Sequence, residues 1–425
     1  MQRLAIVLCG LCVTAPLDAQ TTATAPETTL TIGARLSIHS TILGEDRPYI
    51  VYAPPATPNA RWPVIVVLDG DAHFLHLTGV TTFLAGNGRM PPAYLVAVPN
   101  TRDRTHDLTP RTTDTTFGTA GGADAMLSFL IDELLPEIDR RYATIPYRVL
   151  IGHSLGGLFA FYGWLSHPDA FQAYVAVSPS LWWDNQGLTD SLAARLARHD
   201  PPHGWFYATM GELEPEDVMV APFRRLQQVL RDGAADSQEW RAVILAQQDH
   251  GTTPHRSAYD GLEAIFRSWW VPPDSLVALG VAGLDRRFES MLTYYRFPNR
   301  FTPEVALNAL GYRLLGEGTP ARQAEALDVL RTNASRFPRS ANVYDSLGDA
   351  YRAMGQKANA ISCYASAVST GALFPHEGTV VAAADIVPIS YGKMRETARE
   401  IGRSPWDPSD IPKRVVDECT AGTAK

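Results

Sequence analysis

Gly152-His153-Ser154-Leu155-Gly156 sets one serine between two glycines, and Gly157 follows. Before it runs YRVLIGH, an apolar stretch that reads as a buried strand; after it runs LGGLFAFYGWLSH, which reads as a helix. G-x-S-x-G in that frame is a nucleophile elbow. The sharp turn projects Ser154 Oγ from the sheet edge, and the glycines remove side chains that would collide. At the helix start the Leu155 N–H is placed to bind an oxyanion forming on a carbonyl. A tight structural turn with an idle serine is the alternative.

A serine hydroxyl needs a base to take its proton. Chains with this elbow supply their partners in the order serine, acid, histidine. His250, in QDHGTTPHRS just after the last strand-like run, is at the expected base position, and His255 is the second candidate. The acid is expected after WFYATMG, in GELEPEDVM. The spacing G-x-x-acid picks Glu214, with Glu212 second; Glu216 and Asp217 suit a solvated helix start.

The second oxyanion donor is expected in the loop after WPVIVVL, which reads Asp69-Gly70-Asp71-Ala72-His73. The Asp71 N–H is the first choice and the Gly70 N–H the second. Asp69, Asp71 and His73 also resemble metal ligands, but their position explains them without a metal, and none is assigned. Arg102 and Arg104 lie in the loop NTRDRTHD near the expected mouth. They either clamp that loop, with Asn100 and Asp107, or bind an acidic group of a substrate. Trp182 and Trp183 cannot both face one core, so one is expected to line an acyl or aromatic pocket.

The elements that must position these residues alternate. Strand patterns read at LSIHSTIL, YIVYAPP, WPVIVVLDG, YLVAVPN, YRVLIGHS, AYVAVSP, WFYATMG and WRAVILA. Helical spacing over 123–142, 218–232 and 259–270 separates the later ones. The pattern predicts an α/β fold, a mostly parallel sheet with helices on both faces, over 31–272. A linker with a helix is expected over 273–300. Residues 301–370 carry two tetratricopeptide-like units, 306–338 and 341–368, with small residues such as Gly311 and Gly348 where paired helices touch. Two units are too few to stand alone, so they should lean on the catalytic part or on the tail, 371–425, which matches no named fold.

Several motifs in this order resemble one family. WPVIVVLDGD, VAVPNTRDRTHDLTP, IGHSLGGLFAFY, VSPSLWWDN, GELE and DHGTTPHRSAYDGL are similar to the esterase family of α/β-hydrolases, in its enterochelin (ferric-siderophore) esterase-like branch. The resemblance covers residues 31–270. It implies an α/β-hydrolase fold, ester hydrolysis, and Ser154, Glu214 and His250 as a triad, although some relatives run on a Ser–His pair. The repeats lie outside that family's core.

At the N-terminus, Arg3 precedes an apolar run from Leu4 to Val13, too short to span a bilayer, and Ala19 offers a cleavage point. A signal peptide over 1–19, a flexible lead-in over 20–30 and a secreted, periplasmic mature protein with no membrane span are expected. Only Cys363 and Cys419 would remain, and an oxidising compartment favours their pairing over two unrelated thiols. A net charge of −8 with no Lys/Arg run argues against nucleic acid as a partner. The expectation is a serine esterase acting on a small-molecule ester of siderophore, aryl or acyl type, without a cofactor. A thioesterase or acyltransferase on the same triad, or a scaffold whose repeats bind a protein or peptide, is the alternative.

Overall fold

The computed structural model describes residues 31–55, 60–101, 103–112, 119–233, 239–298, 301–375 and 383–423. The signal peptide, the lead-in and Arg102 lie outside them.

Every run read as a strand forms one: β1 (Ala34–Ser40), β2 (Glu45–Tyr52), β3 (Trp62–Leu68), β4 (Tyr94–Val98), β5 (Thr144–His153), β6 (Ala173–Val177), β7 (Trp205–Gly211) and β8 (Trp240–Leu245). They make one sheet in the order β1-β2-β4-β3-β5-β6-β7-β8. β1 and β2 join antiparallel, as do β2 and β4, and the rest pair in parallel. β3, β4, β6 and β7 are buried along their whole length, as continuous apolar strands covered on both faces should be.

Between the strands run α1 (Gly70–Gly86), α2 (Arg104–Leu108), α3 (Ala123–Ser128), α4 (Leu135–Arg141), α5 (Leu155–Ser166), α6 (Gly187–Ala197), α7 (Ala221–Gly233) and α8 (Thr253–Ile265). Helical spacing over 123–142 predicts one regular helix there. The segment instead holds a π-helical turn, Phe129–Leu134, between α3 and α4, and a second π turn, Glu216–Val220, precedes α7. Pro136 and Pro222 each stand two residues beyond such a turn. Proline has no N–H and clashes with the carbonyl four residues back, so a widened turn accommodates it without breaking the rod.

The chain runs from β3 outward to β4, then returns past β3 to β5. The strand order therefore reverses between β3 and β5, and the crevice beyond their carboxyl ends is where ligands bind in open α/β sheets. The loops Asp69-Gly70 and His153-Ser154 both open into that crevice.

The rest of the chain is helical: α9 (Pro273–Tyr294), α10 (Glu304–Gly316), α11 (Pro320–Arg336), α12 (Ala341–Ala353), α13 (Lys357–Leu373), α14 (Ala383–Glu400) and α15 (Val415–Ala421). α9 is kinked at Gly280, whose φ is +58°. α10 pairs with α11 and α12 with α13 where small residues permit: a Cβ on Gly311 would meet Leu330 at 2.6 Å, and one on Gly348 would meet the Tyr364 ring at 2.6 Å.

This region docks on the amino-terminal edge of the sheet. Trp62, the first residue of β3, packs edge-on against Phe297 and Phe301, and Tyr147 near the start of β5 packs against Tyr295. One apolar core runs without a break from Tyr49 to Val329. β5 is ten residues long, so roughly 30 Å separates that edge from Ser154.

A second core joins α11 to α15 and contains Cys363 and Cys419, which form a disulfide with Cα atoms 4.8 Å apart. The bridge ties α15 to α13, and Tyr351 donates to the Cys419 carbonyl (3.2 Å). The tail thus caps the last helix pair. Replacing both cysteines with serine should destabilise this end by roughly 2–4 kcal/mol, read as a lower melting temperature. An unreduced digest should yield the two cysteine peptides linked, and free thiols at both would contradict the bridge.

Candidate active site

Ser154 sits at φ +60°, ψ −117°, between β5 and α5, a conformation few non-glycine residues adopt. Its neighbours impose it. A Cβ on Gly152 would lie 2.0 Å from the Gly156 carbonyl oxygen, and one on Gly157 would lie 2.7 Å from the Val177 oxygen. The Ser154 N–H donates to the Val177 carbonyl (3.0 Å) and its carbonyl accepts from the Ser180 N–H (3.2 Å), so the turn is tied to the end of β6. The Leu155 N–H opens the first turn of α5, where intrahelical partners are lacking.

Glu214 and His250 meet. His250 Nδ1 lies 2.7 Å from Glu214 Oε2. The Glu214 side chain is wholly buried, and its other oxygen accepts from Ser178 Oγ (2.6 Å) and from the Gly211 N–H (3.0 Å). Burial raises its pKa, but the hydrogen bonds from His250, Ser178 and Gly211 outweigh burial and hold it below the usual carboxylate value. It is therefore an ionised acceptor that orients the imidazole with Nδ1 as donor. The rival acids are used elsewhere. Glu212 accepts from the Gln247 N–H (3.0 Å), and Glu216 pairs with Arg224.

The His250 loop is built by Asp249, whose carboxylate accepts from the N–H groups of Gly251 (3.0 Å) and Thr252 (2.9 Å). Among the described residues no hydrogen bond joins Ser154 Oγ to His250. Such bonds often tighten only with substrate bound. His255 lies in α8 with its ring 5.5 Å from that of His76, and no contact with Glu214 or Ser154 is seen among the described residues.

Asp69 adopts a left-handed conformation (φ +54°) ahead of α1. The N–H groups of Ala72 and His73 return to its carbonyl, leaving those of Gly70 and Asp71 at the helix start, where intrahelical partners are lacking. A Cβ on Gly70 would meet Val98 and Pro99 backbone at 2.8 Å, so this close approach requires glycine.

The Asp69 carboxylate is clamped by Arg104 Nε (2.5 Å) and Nη2 (2.9 Å) and by Asn100 Nδ2 (2.5 Å). Burial raises its pKa, but Arg104 and Asn100 more than offset this and lower it. Arg104 makes a loop clamp, its guanidinium bound bidentately to Asp69. Asp107 accepts from Arg47 (2.7 Å) in a second, buried pair. Asp69, Asp71, His73, Asn100, Arg104 and His153 border a cavity of about 420 Å³. Trp183 is buried and Trp182 is partly exposed, the two indoles 5.9 Å apart beyond the end of β6.

The family model described as "Putative esterase" matches residues 40–252. The chain belongs to this esterase family. It is 32% identical over 198 residues to the ferri-bacillibactin esterase BesA of Bacillus subtilis (strain 168), an alignment covering 40% of this chain and 67% of that one. It is 33% identical over 139 residues to the siderophore triacetylfusarinine C esterase of Aspergillus fumigatus, covering 29% of this chain and 46% of that one. An IroE-like serine hydrolase from Shewanella oneidensis superposes with a TM-score of 0.57 at 22% identity, over 70% of this chain and 98% of its own. An uncharacterised protein from Capnocytophaga ochracea superposes with a TM-score of 0.54 at 14% identity, over 86% of this chain and 99% of its own. At these identities the likeness is one of fold. The 86% coverage exceeds the catalytic part, so it takes in helical-region residues too.

Within this esterase fold, sequence reasoning missed Ser178 and Thr253. Ser178 is fully buried at φ +39° and links Glu214 to Thr253 Oγ1 (3.0 Å). The available signal was a small polar residue at the end of β6, beside the β7 end that carries the acid.

Also unforeseen is a row of imidazoles beside the elbow. Ring centroids run His250–His153 at 4.5 Å, His153–His73 at 5.7 Å, His73–His76 at 5.2 Å and His76–His255 at 5.5 Å. Burial, reinforced by neighbouring histidines, lowers His76 and His153 to about 4, and burial lowers His73 as well. All three are neutral in the folded protein at neutral pH. The unfolded chain takes up protons at these sites below about pH 6.5, whereas the folded chain resists until about pH 4 for His76 and His153. Their contribution to stability is therefore complete above pH 6.5 and lost as pH falls toward 4. The melting temperature should drop from pH 7 to pH 5, and His76→Gln should flatten that drop. An unchanged slope in the variant would show that His76 is not a source of the drop.

Proposed function

We propose that the protein is a serine ester hydrolase working through an acyl-enzyme. Ser154 Oγ attacks the ester carbonyl while His250 Nε2 takes its proton. Glu214, ionised and fixed, holds the ring and balances its positive charge. The Leu155 N–H and the Asp71 N–H, with that of Gly70 beside it, bind the oxyanion. The His250 proton passes to the leaving alcohol. Water then attacks the acyl-enzyme, with His250 as base, and releases the acid and Ser154. No step calls for a cofactor. The observation that carries this reading is the buried, doubly supported Glu214 bonded to His250 in the loops next to a strained serine elbow.

The relatives' names favour siderophore-type esters as substrates, with aryl and acyl esters as the wider class. The Cys363–Cys419 bridge favours an oxidising compartment, in keeping with secretion to the periplasm.

Ser154→Ala should lower kcat for an aryl ester by at least about a thousandfold with an unchanged melting profile. Turnover within tenfold of wild type would sink the mechanism. Glu214→Gln should cost roughly 10²–10⁴-fold in kcat, and Glu212→Gln and Glu216→Gln far less. Equal effects at all three positions would remove Glu214 from its role.

A further inference from the structure

We propose that His153 is a positioning residue for His250, its buried ring forming the wall against which the base is held. This rests on the roles given above to Ser154 and His250. The Glu214 bond fixes His250 at one nitrogen only, and a ring held at one point can still swing about it. Gly251 follows, and the His250 side chain is 43% exposed, so few contacts restrain it. His153 supplies one beside the ring, with centroids 4.5 Å apart and planes inclined by 42°.

The wall is itself anchored. The His153 carbonyl accepts from Arg104 Nη2 (3.2 Å), and the same guanidinium clamps Asp69. One cation thus ties together the oxyanion loop, the elbow and the surface behind the base.

The wall must also tolerate charge, because His250 becomes a cation in each turnover. The groups facing His153 are His73 of α1, Asp69 ahead of α1, Arg104 of α2 and His250 of the β8–α8 loop. Burial, with His250 and His73 nearby, keeps the ring neutral above about pH 4. Its Nε2 is buried and makes no hydrogen bond among the described residues. The ring also reaches the His250 backbone by a hydrogen bond, and as a neutral neighbour it does not repel the cation that forms on His250.

The test compares His153→Ala, His153→Phe and His153→Lys for kcat, KM and the pH profile of kcat/KM on an aryl ester, with melting curves as the folding control. His153→Ala should lower kcat about 10- to 100-fold with little change in KM. His153→Phe, which keeps a flat ring, should recover most of that loss. His153→Lys should move the acid limb of the profile down by about one pH unit, because a cation then faces His250. A folded His153→Ala with wild-type kcat and acid limb, or a folded His153→Phe as slow as the alanine variant, would overturn the proposal. Retained turnover in Ser154→Ala would instead overturn the parent reading, so the two failures are distinguishable.

Discussion

The whole site depends on one close approach, that of the Gly152 Cα to the Gly156 carbonyl across the elbow. No side chain fits at Gly152, where a Cβ would stand 2.0 Å from an oxygen. That contact holds Ser154 at positive φ, outside a helix whose first N–H groups it faces. The backbone strain there costs on the order of 1–3 kcal/mol and persists only because the surroundings over-determine it. β5 supplies one side, α5 the other, and the bonds to Val177 and Ser180 the third. Any shift of β6 would move the serine, and β6 is also where Ser178 supports Glu214. Ser154 and Glu214 are therefore held by the same strand end.

A consequence is a division of labour across the sheet. The carboxyl edge carries strained turns and buried charge: Ser154, Asp69 and Ser178 at positive φ, and the Asp69–Arg104 pair. The amino edge carries apolar mass, with Trp62, Tyr147 and the aromatic residues of the helical region in one core. Stability gained at one edge offsets strain at the other. The helical region shares that core, and none of its described residues borders the cavity at the carboxyl edge.

Much of this was legible from the residues. The elbow is readable because glycine at two fixed offsets has one steric reason to be there. Glu214 and His250 are readable because a strand end and a short spacing place them in adjacent loops. The eight strands are readable because buried parallel strands are long apolar runs. What escaped depends on three-dimensional neighbours. Arg104 could bind substrate or clamp a loop, and its bidentate hold on Asp69 shows only in space. Ser178 is one serine among many until Glu214 is seen against it. The histidine row joins residues 73, 76, 153, 250 and 255, which no local pattern connects. The π turns at 129–134 and 216–220 preserve apolar spacing while shifting the register, so periodicity passes over them. The helix pairs were visible through Gly311 and Gly348, but their docking edge was not, because Trp62 and Phe297 reveal a partnership only in space.

In the proposed mechanism Ser154 carries the acyl group. Mixing the protein with a slowly deacylating aryl ester, quenching in acid within one turnover and weighing the intact chain and its peptides tests it directly. The expected result is a mass increase equal to the acyl group, confined to the peptide that contains Ser154 and absent from Ser154→Ala. Product release with no adduct on that peptide, or an adduct on another residue, would contradict it.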